Sequence, residues 1–143
     1  MPDPLEVCEA AARAAGGVLR SWIGKAAVSP KGPRDLVTEA DLAAQAEVES
    51  IVLGAFPHHG FVGEEAAPAA GRAGAAAPRW IVDPLDGTTN YVKGYPAWCT
   101  SVALAEGDDL IVGTVYDPLR DECFTARRGG GAWLNGVRGA VNP

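Results

Sequence analysis

Three β-rich runs, Trp98 to Ala105, Leu110 to Tyr116 and Glu122 to Ala126, are joined only by Glu106-Gly107-Asp108-Asp109 and by Asp117-Pro118-Leu119-Arg120-Asp121. A parallel pairing needs a crossover of about a dozen residues or more, so connections this short force an antiparallel meander. Ala132-Trp133-Leu134 followed by Asn135-Gly136 adds a further strand and a tight hairpin, because Asn-Gly tolerates the positive φ angles such a turn demands. Gly129-Gly130-Gly131 lacks the Gly-Lys-Ser/Thr ending of a phosphate-binding P-loop and reads as a turn. No closing element follows the hairpin before Pro143, which predicts an exposed sheet edge.

Helical patterning precedes the strands. Asp3 can cap a helix with Pro4 at its first position and Glu6 three residues after the cap. Leu5, Cys8, Ala12, Ala15, Leu19 and Ile23 then recur at helical spacing, which predicts a helix from Pro4 to about Ile23. Ser29-Pro30-Lys31-Gly32-Pro33 reads as a loop. Thr38 is a second cap, with Leu42, Gln45, Val48, Val52 and Ala55 behind it, so a second helix is predicted from Glu39 to about Gly54. Asp41 then falls in the first turn, where a carboxylate either complements the helix dipole or does chemistry. Phe61-Val62-Gly63 is a short strand ending at Glu64-Glu65, and His58 and His59 sit in the turn before it with a surface role. Ala66 to Pro78, almost wholly Ala, Gly and Pro, is a flexible loop.

With 143 residues and 48% hydrophobic content, the chain is predicted to be a single α+β domain over 1–143 with a sizeable core. Its two amino-terminal helices should pack on a largely antiparallel sheet. A net charge of −6, with only twelve Lys and Arg, argues against a nucleic-acid partner. The absence of long apolar runs and of a basic-then-apolar amino terminus argues against membrane insertion or export. Three cysteines in no paired motif indicate neither a disulfide framework nor a zinc site, and fit a cytoplasmic setting.

The stretch carrying most chemistry is Trp80-Ile81-Val82-Asp83-Pro84-Leu85-Asp86-Gly87-Thr88-Thr89-Asn90. An apolar strand ends at Asp83, and Pro84 stiffens the exit. Carboxylates with an unperturbed pKa of about 3.9 are both ionised at neutral pH, so Asp83 and Asp86 repel each other unless a cation stands between them. An oxygen-only ligand set favours magnesium, manganese or calcium over zinc, and a site with few protein ligands leaves room for water and phosphate, which favours magnesium. Gly87 lets a ligand approach the backbone, and a helical turn starting at Thr88-Thr89-Asn90 would aim free amides at an anion. An Asx-turn with a helix cap would also explain Asp-Gly-Thr alone.

Trp80 to Tyr91 resembles the first signature of the inositol monophosphatase family of magnesium-dependent, lithium-sensitive phosphatases. Asp35-Leu36-Val37-Thr38-Glu39-Ala40-Asp41, Phe61-Val62-Gly63-Glu64-Glu65, and Gly113-Thr114-Val115-Tyr116 with Ala126-Arg127-Arg128-Gly129-Gly130-Gly131-Ala132 resemble further family segments in the same order. The resemblance implies the amino-terminal half of the sugar-phosphatase αβαβα fold. It implies two or three Mg2+ ions held by Glu64, Asp83, the Leu85 carbonyl and Asp86, and a pair of Asp41 and Thr88 that orients the attacking water, with Asp41, Glu64 and Thr88 as the catalytic group. Asp86, Gly87 and Thr88 would meet the substrate, Glu65 would stand behind the ligands, and Lys31 would lie in a loop near the metals. The implied reaction is direct in-line hydrolysis of a phosphate monoester by metal-activated water, without a phosphoenzyme; a cysteine-phosphatase reading lacks the Cys-x5-Arg cradle.

Inositol monophosphate is the substrate the resemblance favours, and fructose 1,6-bisphosphate, histidinol phosphate and adenosine bisphosphates are served by related families. Thr88-Thr89-Asn90-Tyr91 leans away from the nucleotide-directed branch, which more usually carries a Lys after the first Thr. Family members continue for nearly as long again, through a Trp-Asp signature that this chain lacks and whose aspartate ligates a further metal. Two expectations follow: the sequence represents a magnesium-dependent inositol-phosphate phosphatase, whether or not these 143 residues suffice for turnover, or it is a catalytically incomplete metal-binding fragment, active only with a complementing carboxy-terminal half; a homodimer is the other assembly expected. The chain is also expected to expose apolar surface and to be prone to association.

Overall fold

The computed structural model describes residues 2–23, 25, 33–63 and 77–140. The first helix, α1 (Pro4–Trp22), begins as its sequence requires: the Asp3 carboxylate accepts from the Leu5 amide at 3.1 Å, and Pro4 fills the first position, where no amide is needed. Its buried face is Cys8, Ala11, Ala12, Ala15, Gly16 and Leu19, mostly small residues that bring the helix axis close to the sheet. A Cβ on Gly16 would stand 2.6 Å from the Tyr116 ring, and the Cys8 thiol donates to the Val102 carbonyl at 3.2 Å.

The second helix, α2, runs Pro33–Ala55 and so starts at Pro33 rather than Glu39. A proline ends a preceding segment, yet it also suits a helix's first turn, and here it opens α2 instead of closing a loop. Thr38 is consequently not a cap, and Asp41 lies more than two turns inside the helix, where the dipole argument for a first-turn carboxylate no longer applies. Val37, Ala40, Asp41, Ala44, Gln45, Val48 and Val52 form its buried stripe. None of the described helices is long and apolar enough to cross a membrane.

Among the described residues, seven strands follow in sequence order across one sheet: β1 (Gly60–Gly63), β2 (Arg79–Asp86), β3 (Cys99–Glu106), β4 (Asp109–Asp117), β5 (Glu122–Arg127), β6 (Gly131–Leu134) and β7 (Val137–Arg138). A short helix, α3 (Thr88–Lys93), stands between β2 and β3. β1 pairs with β2 in parallel and every later pair is antiparallel, so the meander is present with strand ends within one residue of expectation. β7 forms one edge of the sheet, with Val137 exposed.

Both long helices lie on one face, over Trp80, Val82, Thr100, Val102, Leu104, Val112 and Tyr116. The opposite face leaves Ile81 exposed, and Val115 and Phe124 are exposed at a shallow trough of about 560 Å³ that Ala103, Gly113 and Ala126 also line. His59 is not the surface residue expected. Its Nδ1 accepts from the Trp80 indole at 3.1 Å, and its ring stacks on Phe56 with centroids 4.7 Å apart, because the indole N–H of a fully buried tryptophan needs an acceptor.

Candidate metal and phosphate site

β2 does not stop at Asp83 as expected; it continues through Pro84 to Asp86 with a break in register. Asp83 pairs with Ser101 and Asp86 with Cys99, so three steps along β2 match two along β3 and one residue bulges out. The consequence is geometric. Residues three apart on a regular strand face opposite ways, but the extra residue returns Asp83 and Asp86 to one face, alongside Ser101 and Cys99. The Thr100 hydroxyl, fully buried, donates to the Pro84 carbonyl at 2.9 Å and fixes the bulge from the helix side.

Electrostatics agree with that register. Burial pushes the Cys99 thiol up to about 11, and the charges of Asp86, Asp83 and Asp117 add to the effect. Cys99, the cross-strand partner of Asp86, is therefore a neutral thiol, a neighbour that sequence reasoning missed because only the strand register reveals it.

Gly87 leads out of the bulge with φ 97° and ψ 41°, a left-handed conformation suited to glycine. A Cβ there would lie 2.9 Å from the Ala97 carbonyl and 3.2 Å from Trp98, so the turn is pressed against the following loop. The Thr88 hydroxyl then donates to the Leu85 carbonyl at 3.4 Å, a long bond. α3 is tied down at several points. Tyr91 donates its hydroxyl to the Leu19 carbonyl of α1 at 2.6 Å and meets Trp98 edge-on at 4.9 Å. Asn90 Nδ2 donates to the Ala97 carbonyl at 2.8 Å, and Gly94 closes the helix in a left-handed conformation.

Asp41, 3% exposed, reaches this end of the molecule from α2. Burial raises the Tyr91 hydroxyl to about 12, and the nearby Asp41 charge contributes, which sets Asp41 beside α3. The structure thus sets Asp41 of α2 beside α3, and carries Asp83, Leu85 and Asp86 along the end of β2 through Gly87 into Thr88 at the start of α3. Glu64, Glu65 and Lys31, and residues 66–76 of the expected loop, lie outside the described residues.

Among the described residues, no group of three or more His, Cys, Asp or Glu side chains could hold a metal ion. The donors that are described, two carboxylates and the Leu85 carbonyl, are all oxygen, which suits a hard cation such as magnesium; Glu64, immediately after β1, is the residue that would complete the set. β1 runs parallel to β2, with Gly63 opposite Val82, so the chain leaves β1 toward the same end as Asp83.

Inositol monophosphatase 1 of Solanum lycopersicum is 45% identical over 134 residues, which is 92% of this chain and 49% of that protein. A protein of Aquifex aeolicus (strain VF5) named fructose-1,6-bisphosphatase/inositol-1-monophosphatase is 40% identical over 138 residues, 94% of this chain and 51% of its own length. The structure of an inositol monophosphatase from Anabaena (Nostoc) sp. PCC 7120 superposes with a TM-score of 0.81 at 36% identity, covering 96% of this chain and 49% of the other. The chain therefore spans about half the length of these relatives. The model of the inositol monophosphatase family matches residues 3–143, and the chain belongs to that family.

Proposed function

We propose that the chain carries the amino-terminal, metal-binding part of a magnesium-dependent phosphatase that hydrolyses a phosphate monoester, an inositol monophosphate above others. The observation that supports this most is the bulged end of β2, where Asp83 and Asp86 share a face on either side of the Leu85 carbonyl and run straight into Gly87 and Thr88. The names of the relatives support a small phosphorylated polyol or sugar as substrate. Fructose 1,6-bisphosphate stands as the alternative, because the Aquifex relative is named for both activities; histidinol phosphate is a further one. Three free cysteines accord with a reducing, cytoplasmic setting.

Glu64, Asp83, the Leu85 carbonyl and Asp86 would hold Mg2+, two or three ions in all. Magnesium bound there would acidify a water and neutralise charge on the phosphoryl and leaving oxygens. Thr88 and Asp41 align that water: the hydroxyl donates to the carboxylate and its oxygen accepts from the water, fixing the line of attack on phosphorus. This requires Thr88 to give up its 3.4 Å bond to the Leu85 carbonyl, a contact long enough to be exchanged readily. Gly87, left-handed and packed against the Ala97 carbonyl, lets the chain turn from Asp86 into Thr88 and would meet the phosphate through its backbone. Glu65 would hold the ligands from behind, and Lys31 would approach the metals from its loop.

Phosphate release from inositol 1-phosphate, with fructose 1,6-bisphosphate in parallel, tests this reading. Release that needs magnesium and disappears in Asp83→Asn and Asp86→Asn is expected; release unaffected by either substitution overturns it.

A second reading is that these residues turn over substrate only with further polypeptide packed on the sheet face that carries Asp83. The apolar trough edged by Val115 and Phe124 on that face favours it. Silence from the chain alone, with turnover restored by adding the carboxy-terminal half of a relative, distinguishes this reading. A doubled mass in sedimentation would instead indicate a homodimer.

A further inference from the structure

Arg120 links the turn from β4 to β5 to the loop that follows α3. Arg120 Nη1 donates both to Asp117 Oδ2 at 2.7 Å and to the Pro96 carbonyl at 3.0 Å. Asp117 is itself fixed, because its Oδ1 accepts from the Leu119 and Arg120 amides at 3.1 and 3.2 Å. The next carbonyl along the loop, that of Ala97, accepts from Asn90 and is the atom against which Gly87 is pressed. Two consecutive carbonyls are thus held from opposite sides, by Arg120 on β4–β5 and by Asn90 on α3, and the Asp86-Gly87-Thr88 turn rests on the second of them.

We infer that Arg120 is a positioning residue for the Asp86-Gly87-Thr88 turn: by holding the Pro96 carbonyl it keeps the loop seated under Gly87 and so sets where Asp86 stands relative to Asp83. The inference rests on the reading of Asp83 and Asp86 as ligands of a divalent cation. It does not make Arg120 a ligand, and no described contact takes its guanidinium to either carboxylate.

A purely electrostatic role would have the opposite sign. Asp117 lies close enough to Cys99, the cross-strand partner of Asp86, to raise its thiol. Removing the cation beside Asp117 would then leave extra negative charge near the site and tighten cation binding. Loss of positioning loosens it. Arg128, in a 2.7 Å ion pair with Asp109 at the other end of β4, is a control of equal charge with no link to the loop.

Binding of Mn2+ alone to the chain, followed by electron paramagnetic resonance, tests the inference without any need for turnover. Arg120→Ala is expected to weaken Mn2+ binding by roughly fivefold, a modest displacement of one ligand against another, with a melting temperature like that of Arg128→Ala. Asn90→Ala, which frees the neighbouring carbonyl without a change of charge, should weaken it similarly and serves if Arg120→Ala does not fold; Arg128→Ala should bind as wild type. Unchanged or tighter binding by Arg120→Ala, or by Asn90→Ala where it stands in, overturns the inference, as does an equal loss in Arg128→Ala. Wild-type binding that is absent, or that survives Asp83→Asn with Asp86→Asn, overturns the underlying metal reading instead.

Discussion

Replacing Gly87 with alanine should separate two costs that glycine avoids at this turn. The first is conformational: a left-handed backbone costs an L-residue about 1–2 kcal/mol, and φ 97° lies beyond the centre of that region. The second is steric. The new methyl would stand 2.9 Å from the Ala97 carbonyl, a backbone atom already held by Asn90, so relief requires moving the loop at a further cost of about 1–3 kcal/mol. Gly94 supplies the comparison, since it is also left-handed, at φ 74°, but has nothing within 4 Å of a Cβ. Gly94→Ala should therefore show the first cost alone. For a chain of this size a kcal/mol moves the melting temperature by about 3 °C, so thermal unfolding followed by circular dichroism should show a drop of about 3–6 °C for Gly94→Ala and about 6–15 °C for Gly87→Ala. Gly87→Ala alone should also lose Mn2+ affinity, because only there does the loop move against Asp86. Equal melts for the two variants would refute the claim that the turn is packed against Ala97.

Other outcomes follow from the same contacts. Tyr91→Phe keeps the edge-on contact with Trp98 but leaves the Leu19 carbonyl without its 2.6 Å donor, and should cost about 1 kcal/mol, read as a melt lowered by about 3 °C. Burial holds His59 below the usual imidazole value, Glu106 opposing and His58 adding to the shift, so between about pH 6.5 and that lower value the unfolded chain binds a proton that the folded chain refuses. Stability from this group is full above about pH 6.5 and is lost as the pH falls below it; melts at pH 7.5 and 5.5 should differ more for the wild type than for His59→Gln.

The sheet was legible because alternating apolar runs with short turns between them admit one pairing, and α1 because Asp3, Pro4 and the small buried stripe all agree. The start of α2 was not, since Pro33 serves equally as a breaker and as a first helical residue, and only packing decides. His59 was misjudged for a related reason: its partner is the indole of Trp80, distant in sequence. At the site, Asp83, Asp86 and Thr88 are proposed from the signature that Trp80 to Tyr91 resembles, and Asp41 from the segment Asp35 to Asp41. That Asp83 and Asp86 share a face could not be read there, because the bulge is a matter of register against β3, and the same register hides Cys99 and Asp117 from any one-dimensional reading.

The central claim is that a divalent cation binds at the end of β2, and paramagnetic broadening of amide signals by trace Mn2+ tests it most directly. Broadening centred on Asp83 to Thr88 and on Cys99, sparing β6 and β7 and abolished in Asp86→Asn, is the expected result. Broadening centred on other acidic stretches, such as Glu106 to Asp109, or none at all, would contradict it.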